Sequence, residues 1–570
     1  MNDPLPEVEN ERLRPSIFTL IHLVIACGIS LAIIPLQDPS EGRYAEVAQN
    51  MLISGDWVTP MTTEKGDPTP FLGKPPLQFW LAAASLGVFG HTEFAARLPS
   101  LLATLGTLFV VFRFAGLYFT RSIGICAASI QLSSLIGYFF AGACMLDPLL
   151  TLSVSLSTLG LPMSLRAKEL GLRRESTLWE LASFLGLAGG LLTKGPVALV
   201  LTVGSLLPWL VIIRPWHALK EIRWIYGLSL TAFIAAPWYL LADSRQPGFL
   251  HYFIVHENFL RFLVKEYGDL YGSGHRHFRG MIWCMALLAC LPWALVALPV
   301  LGKHLGAVRR CKEVLVETRT WKSSAPPPAV ILLGLALFPL IFFTVSRQVS
   351  VYYVLPSVPA LALLLAMYGE KLWEAERHLI QALCKSLRVI ALVAIAGITV
   401  YACNKRFDAY IALAVALPLV MLVITSRLSA WGRRSVTSTS EFNRTAIYFV
   451  TLYLTAVLLQ LTDYVGGASS RDLIASIAKK SSVNRVLFHQ KLPHSAIFYS
   501  DAIIGRNKMV LQLVDDVPSS LARDEVLVIR TKNVKKNEQL LPAGATRESI
   551  NEGGWTIVSQ RDDSKVGEDR

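Results

Sequence analysis

The sequence predicts an all-α polytopic membrane protein with about 13 transmembrane helices, re-entrant or juxtamembrane helices in its first outer loop, and a small C-terminal extracytoplasmic α/β domain. Three observations predict it. Of 570 residues, 53% are apolar and only 17% charged, where an average soluble domain carries roughly 25% charged residues. Apolar runs recur as far as residue 462, most of them near the roughly 20 residues that cross a bilayer core. From about residue 464 the chain turns polar and alternates short strand-like runs with a helical stretch.

Composition excludes a single soluble core and excludes disorder. The net charge of +13, from 54 Lys+Arg against 41 Asp+Glu, lies in small clusters between apolar runs; that distribution sets membrane topology and does not describe a nucleic-acid binder. Eight cysteines, at 27, 126, 144, 284, 290, 311, 384 and 403, lie in or beside apolar runs without metal-type spacing. Neither a disulfide framework nor a zinc module follows from them.

Runs bounded by charge centre on 15–36, 98–119, 122–141, 149–165, 179–193, 195–213, 224–242, 281–301, 328–345, 352–369, 389–403, 408–426 and 445–462. A further, shorter run at 76–90 is read as a half-buried or re-entrant helix. With that assignment, the loops on the N-terminal side of the membrane hold 25 Lys and Arg and the opposite loops about 13, so the N-terminus is expected to be cytoplasmic. The expected organisation is a transmembrane domain at 1–463, with a first outer loop at 37–97, and an outward domain at 464–570. In that last part the expected elements are a helix at 471–480 and strand-like runs at 485–489, 496–500, 510–514 and 525–530, with an ordered stretch at 555–560.

Chemistry-bearing residues gather on the outward face. The first loop opens with Asp38-Pro39-Ser40-Glu41-Gly42-Arg43-Tyr44. Ser40 or Asp38 there can cap a helix through Val47, Met51 and Leu52, while carboxylates at a membrane mouth also suit general-base work. Lys74, in Gly73-Lys74-Pro75-Pro76, either snorkels or binds a lipid phosphate as a point charge. The second loop offers His256-Glu257-Asn258-Phe259-Leu260-Arg261, a cation and a histidine, either ligating or solvated. Asp147 interrupts apolar sequence at the outer end of a span, and an ionisable group at such depth marks function or structural pairing. Lys194 lies in the turn Thr193-Lys194-Gly195-Pro196, and Tyr352-Tyr353 stand where tyrosines anchor at an interface.

Glu41-Gly42-Arg43-Tyr44-Ala45-Glu46, Ser54-Gly55-Asp56-Trp57-Val58-Thr59-Pro60 and Lys74-Pro75-Pro76-Leu77 together resemble bacterial type C glycosyltransferases. Among these they are similar to the 4-amino-4-deoxy-L-arabinose lipid A transferases and the protein O-mannosyltransferases. Thr193-Lys194-Gly195-Pro196, the 256–261 stretch and Tyr353-Val354-Leu355-Pro356 continue the resemblance. It implies an enzyme of the bacterial inner membrane, with its C-terminal domain periplasmic, that moves a sugar from undecaprenyl phosphate to lipid A or another glycolipid, with a protein acceptor as the alternative. A lipid or solute transporter, or a catalytically silent relative, is the reading from a different class.

By the same resemblance, Lys74 and Arg261 would hold the donor phosphate and Tyr353 would hydrogen-bond it. Asp147 would be an acid lining the cavity, and His256 would match a metal-ligating histidine. Two positions depart from the pattern. Ser40 stands where the family has its catalytic aspartate, leaving Asp38 or Glu41 to replace it, and Gly73 stands where the family has a glutamate, removing one ligand for a divalent metal.

Overall fold

The computed structural model describes residues 6–64, 66–264, 277–304, 323–346, 348–405, 409–430, 437–459, 469–480, 483–505, 508–534, 539, 541–542, 545–550 and 554–560. The chain forms two units. The first comprises Met1–Leu31, Leu72–Gln78 and Pro99–Leu459; the second comprises Ala32–Phe71, Phe79–Leu98 and Gln460–Arg570. The expected domain boundary at 463/464 lies outside the described residues.

The first unit is helical. Among the described residues of the chain, eight helices are long and apolar enough to cross a bilayer, and the pair Met281–Ala289 and Ala294–His304, bent by 113°, raises the number to nine. Four expected spans fall on helices that are shorter or more polar: Arg121–Ser133, Arg173–Lys194, Ile411–Arg427 and Ser438–Leu458. Their polarity is used internally. Glu180 accepts from the backbone N–H and guanidinium of Arg223, Glu441 pairs with Arg388 at 2.8 Å, and Thr437 and Ser440 close a capping box.

One helical hairpin positions the site. Leu146–Glu169 and Arg173–Lys194 run antiparallel across a three-residue turn, so the first turn of one lies beside the last turn of the other. Close approach is possible because residue 186 is glycine: a Cβ there would lie 2.6 Å from Leu156 Cβ and 2.9 Å from the Ser153 carbonyl oxygen. Small residues serve this purpose at helix crossings in membranes, where packing rather than water exclusion drives association. Gly195 ends the second helix at φ 68°, a backbone conformation that a side chain disfavours, and Pro196 starts the next helix.

The second unit is built on a five-stranded sheet. After β1 (Met61–Glu64) and β2 (Asp67–Pro70), which pair as an antiparallel hairpin, come β3 (Arg485–His489), β4 (Val510–Val514), β5 (Glu525–Arg530), β6 (Thr546–Ile550) and β7 (Trp555–Ser559). Their order is β4-β3-β5-β7-β6; β3 is parallel to β4 and β5, and β7 is antiparallel to β5 and β6. The inner strands are apolar on both faces. One face contributes Leu487, Leu527, Ile529 and Val558 to a core shared with Leu521 and Leu541, and the other buries Val486, Phe488, Val526, Val528 and Ile557.

Two expectations for local structure are corrected. The run at 496–500 is not a strand: Pro493 ends the extended segment and a helix follows at His494–Tyr499. The first-loop helix runs Ser40–Ser54 without a side-chain cap, because Ser40 lies inside its first turn and the Asp38 carboxylate accepts from Ser495 instead.

Candidate functional site

Within the first unit, residues distant in sequence converge on a cavity of about 80 Å³, whose polar lining is Lys74, Lys194, Glu257, Asn258, Arg261, Ser346, Gln348 and Tyr353, with Phe343 among the rest. Three backbone devices bring them there. Lys74 precedes the Pro75-Pro76 step and its ammonium donates to the Gly73 carbonyl at 2.7 Å. The stretch Tyr252–Leu260 is wound as a π-helix, a form found preferentially at functional sites, and it delivers Glu257 and then Arg261. Tyr353 lies in the 3₁₀ segment Val351–Ser357, and its ring stacks on Phe343 at 4.6 Å.

Glu257 organises one half of the cavity. Its carboxylate is almost fully buried, and Oε1 accepts from both the Lys74 ammonium and the Arg261 guanidinium. Its other oxygen, also buried, takes no donor among the described residues. Arg261 also donates from Nε to the Gln348 side chain at 3.0 Å, which fixes the plane of the guanidinium. Burial pushes the Lys74 ammonium below its usual range, and the charge of Glu257 is the main influence opposing that.

The other half is held by the hairpin. Asp147, 1% exposed, accepts from the Lys194 ammonium at 2.7 Å. The acid lies in the first turn of its helix and the lysine in the last turn of its own, so each charge also complements a helix end. Lys194 Nζ is 4.8 Å from the Tyr353 ring centroid and 5.8 Å from that of Tyr352, within cation–π range. Three cations and two carboxylates are therefore arranged around one small cavity.

Lys74, Arg261, Tyr353 and Asp147 are thus gathered in one place, in company with Lys194. Glu257, Asn258 and Gln348 were not singled out by sequence reasoning. Glu257 has one partner four residues on in Arg261 and another 183 residues away in Lys74, and Gln348 meets Arg261 across 87 residues. His256 stacks on Tyr252 at 5.8 Å and faces His251 edge-on at 5.4 Å. Among the described residues no three His, Cys, Asp or Glu side chains are grouped to hold a metal. Gly73 offers no side chain, and Glu257 is engaged with two cations, so the described residues do not fit a metal site.

Asp38 and Glu41 belong to the second unit, and both carboxylates have structural partners there. Glu41 forms a bidentate pair with buried Arg97 at 2.7 and 2.8 Å and accepts from the Gln37 N–H at 2.9 Å. Asp38 accepts from the Ser495 N–H at 3.0 Å and from its hydroxyl. Burial pushes the Asp38 carboxyl above its usual range, with the two bonds from Ser495 acting the other way. Close by, Glu46 accepts from Thr63 N–H at 2.7 Å and pairs with His494 Nδ1 at 2.6 Å, while Arg43 donates to His494 Nε2 at 3.0 Å.

With this geometry in place, the chain can be set beside known proteins. Residues 37–253 match the family model "Dolichyl-phosphate-mannose-protein mannosyltransferase". Undecaprenyl phosphate-alpha-4-amino-4-deoxy-L-arabinose arabinosyl transferase 2 of Sodalis glossinidius is 32% identical over 370 residues, covering 63% of this chain and 60% of that protein. The corresponding transferase of Yersinia enterocolitica is 31% identical over 342 residues, covering 59% and 55%. The matched part spans less than two thirds of these curated relatives. The crystal structure of ArnT from Cupriavidus metallidurans bound to undecaprenyl phosphate superposes with a TM-score of 0.68 at 20% identity, covering 95% of this chain and 97% of that one. The chain is therefore similar in sequence to a 4-amino-4-deoxy-L-arabinose arabinosyl transferase over 63% of its length, and similar in fold to the solved ArnT over 95%.

Proposed function

We propose that the chain is a glycosyltransferase of the bacterial inner membrane that moves a sugar from undecaprenyl phosphate to lipid A. One observation carries the reading: Lys74, Lys194, Arg261 and Tyr353 line a single cavity. Lysine and arginine suit a lipid-linked phosphate, the arginine through its planar fork and the lysines as point charges. In the reaction an acceptor oxygen forms a bond to C1 of the sugar as the bond from C1 to the phosphate oxygen breaks. The departing phosphate gains negative charge, and cations fixed beforehand stabilise it without having to reorganise.

Asp147 is the acid we assign to the acceptor, because it shares the unit and the charge cluster of the phosphate-binding groups. Its carboxylate is held by Lys194, and it takes the proton of an acceptor hydroxyl as C1 is attacked. Asp38 and Glu41 are the alternatives, each of which must first leave Ser495 or Arg97. The sugar to test first is 4-amino-4-deoxy-L-arabinose, the one named for the curated relatives. The same reading has thirteen spans, a cytoplasmic N-terminus and a periplasmic C-terminal domain, in line with the distribution of positive charge.

The mannosyltransferase match over 37–253 favours a second acceptor, a protein. Mass spectrometry of lipid A and of envelope glycoproteins, from cells with and without the gene, tests both. Loss of one pentosamine mass from lipid A on deletion, restored by the wild-type gene, is the expected result. A change confined to glycoproteins selects the second acceptor, and two unchanged profiles reject transfer.

A further inference from the structure

A second cavity, of about 510 Å³, lies in the first unit where the helices Arg173–Lys194 and Trp224–Arg245 run side by side. Each helix gives it one face. Thr177, Leu181 and Phe184 recur at spacings of three and four on one helix, and Tyr226, Gly227 and Leu230 fall at spacings of one and three on the other. Residue 227 is glycine because the helices touch there: a Cβ would lie 2.1 Å from the Phe184 ring. Thr231, one turn on, donates to the Phe184 carbonyl at 3.1 Å. Trp224–Arg245 is long and apolar enough to cross a bilayer. Leu181 and Tyr226 line the groove and are exposed, so it opens toward lipid.

The mouth of the groove is basic. Arg223 pairs with Glu180, whose carboxylate is buried, through Nε at 3.2 Å and Nη2 at 3.1 Å. No acceptor among the described residues meets its Nη1, so one edge of the planar fork is fixed in direction and unused. Arg173 and Arg174 stand one turn before Thr177 on the same helix face. Both are exposed, and neither side chain has a hydrogen-bond or ion-pair partner among the described residues. Guanidinium forks match phosphate oxygens, and the apolar walls beyond them match an acyl chain. The volume is that of clefts that hold small molecules, roughly 300–1,000 Å³. Lys194, which lines the donor cavity, is at the far end of this helix, about 30 Å along its axis from Arg173.

We infer that the groove is a binding site for one anionic phospholipid of the bilayer, with its phosphate on Arg173, Arg174 and the unused edge of Arg223 and an acyl chain along Leu181, Phe184 and Leu230. A zwitterionic lipid offers the same chain but brings its own ammonium to a mouth already lined by guanidinium groups, and like charges there count against it. The inference is independent of the donor-phosphate reading.

The test measures binding of fluorescent phosphatidylglycerol and phosphatidylcholine to the full chain in detergent. Wild type is expected to prefer phosphatidylglycerol at least tenfold. Arg173→Gln combined with Arg174→Gln should cut that preference at least fivefold and leave the melting of lipid-free protein unchanged, because both positions are exposed. Leu181→Trp, which fills the apolar end of the groove, should weaken both lipids alike. A second measurement needs no variant: salt screens exposed charges, so the wild-type preference should fall at least threefold between about 0.05 and 0.5 M salt. Equal binding of the two lipids by wild type, a preference that the double variant keeps, or one that salt does not move overturns the inference. Undecaprenyl phosphate that displaces phosphatidylglycerol from Lys74→Ala protein, whose donor cavity is impaired, would give the groove a different occupant and overturns it as well.

Discussion

Asp147 and Lys194, 47 residues apart in sequence, meet at 2.7 Å because their helices fold back on each other and place the start of one beside the end of the other. Both side chains are nearly out of solvent, at 2% and 12% exposure. Removing either charge strands the other.

Asp147→Asn should therefore cost stability, about 3–5 kcal/mol for a broken buried pair, as well as transfer. Asp147→Asn combined with Lys194→Met removes both charges and should recover most of the thermal stability while leaving transfer lost. Melting curves read the first effect, and sugar transfer by purified protein reads the second. A stable double variant with wild-type turnover would reassign the acid.

Lys74→Ala and Arg261→Ala should each reduce transfer by ~10²–10³-fold, the scale of losing one preorganised stabilising group. Both should still insert in the membrane, because the two side chains are only part-buried. Binding of undecaprenyl phosphate should fall in parallel. Wild-type binding by both variants would place the donor elsewhere.

Glu41 tests the alternative acid. Its bidentate pair with Arg97 is almost fully buried, at 7% and 3% side-chain exposure, so Glu41→Gln should destabilise by about 3–5 kcal/mol. Adding Arg97→Met should restore part of that loss and, with it, transfer. A double variant that melts normally and is inactive would make Glu41 the catalytic acid in place of Asp147.

Asp38 gives a pH dependence of definite sign. Burial raises its carboxyl above the usual 3.8, so the folded chain holds that proton more firmly than the unfolded chain does. Its contribution to stability is complete below about pH 3.8 and is lost as pH rises through the folded value. Asp38→Asn should therefore be more stable than wild type at neutral pH, and the gap should close as pH falls toward 4. A gap that grows on acidification would show that Ser495 and its neighbours outweigh burial.

Gly186→Ala should push the hairpin apart, because the added Cβ would fall 2.6 Å from Leu156 Cβ and 2.9 Å from a backbone oxygen. Overpacking of this kind costs roughly 1–3 kcal/mol. Transfer should fall as well, although residue 186 is about two helical turns from Lys194. Unchanged melting and turnover would mean that the hairpin adjusts without moving the site.

What the sequence made legible follows from range. Apolar runs and charge clusters are local signals, and they located most of the helices, the polar tail and three of its strands. The edge strand at 546–550 was missed because Thr546, Arg547, Glu548 and Ser549 are exposed, leaving no apolar alternation to read. The run at 496–500 was misassigned because five residues of Ala, Ile, Phe, Tyr and Ser carry no decisive period, and Pro493 settled it in favour of helix. Lys74, Arg261, Tyr353 and Asp147 were visible as single residues in unusual places. Glu257 was not, because its pair with Arg261 four residues on reads as an ordinary helix pair, and its contact with Lys74, 183 residues away, is spanned by no spacing rule.

The π-helical winding of 252–260 has a consequence for the length of this loop. Its last bond joins the Arg261 N–H to the His256 carbonyl, five residues back, so the segment holds one residue more than an α-helix would need. Deleting a single residue upstream of Glu257 lets the stretch rewind, and each residue of α-helix turns about 100°. Arg261 would then swing away from Gln348, and a phosphate-binding fork would become a surface arginine without one substitution in the cavity wall.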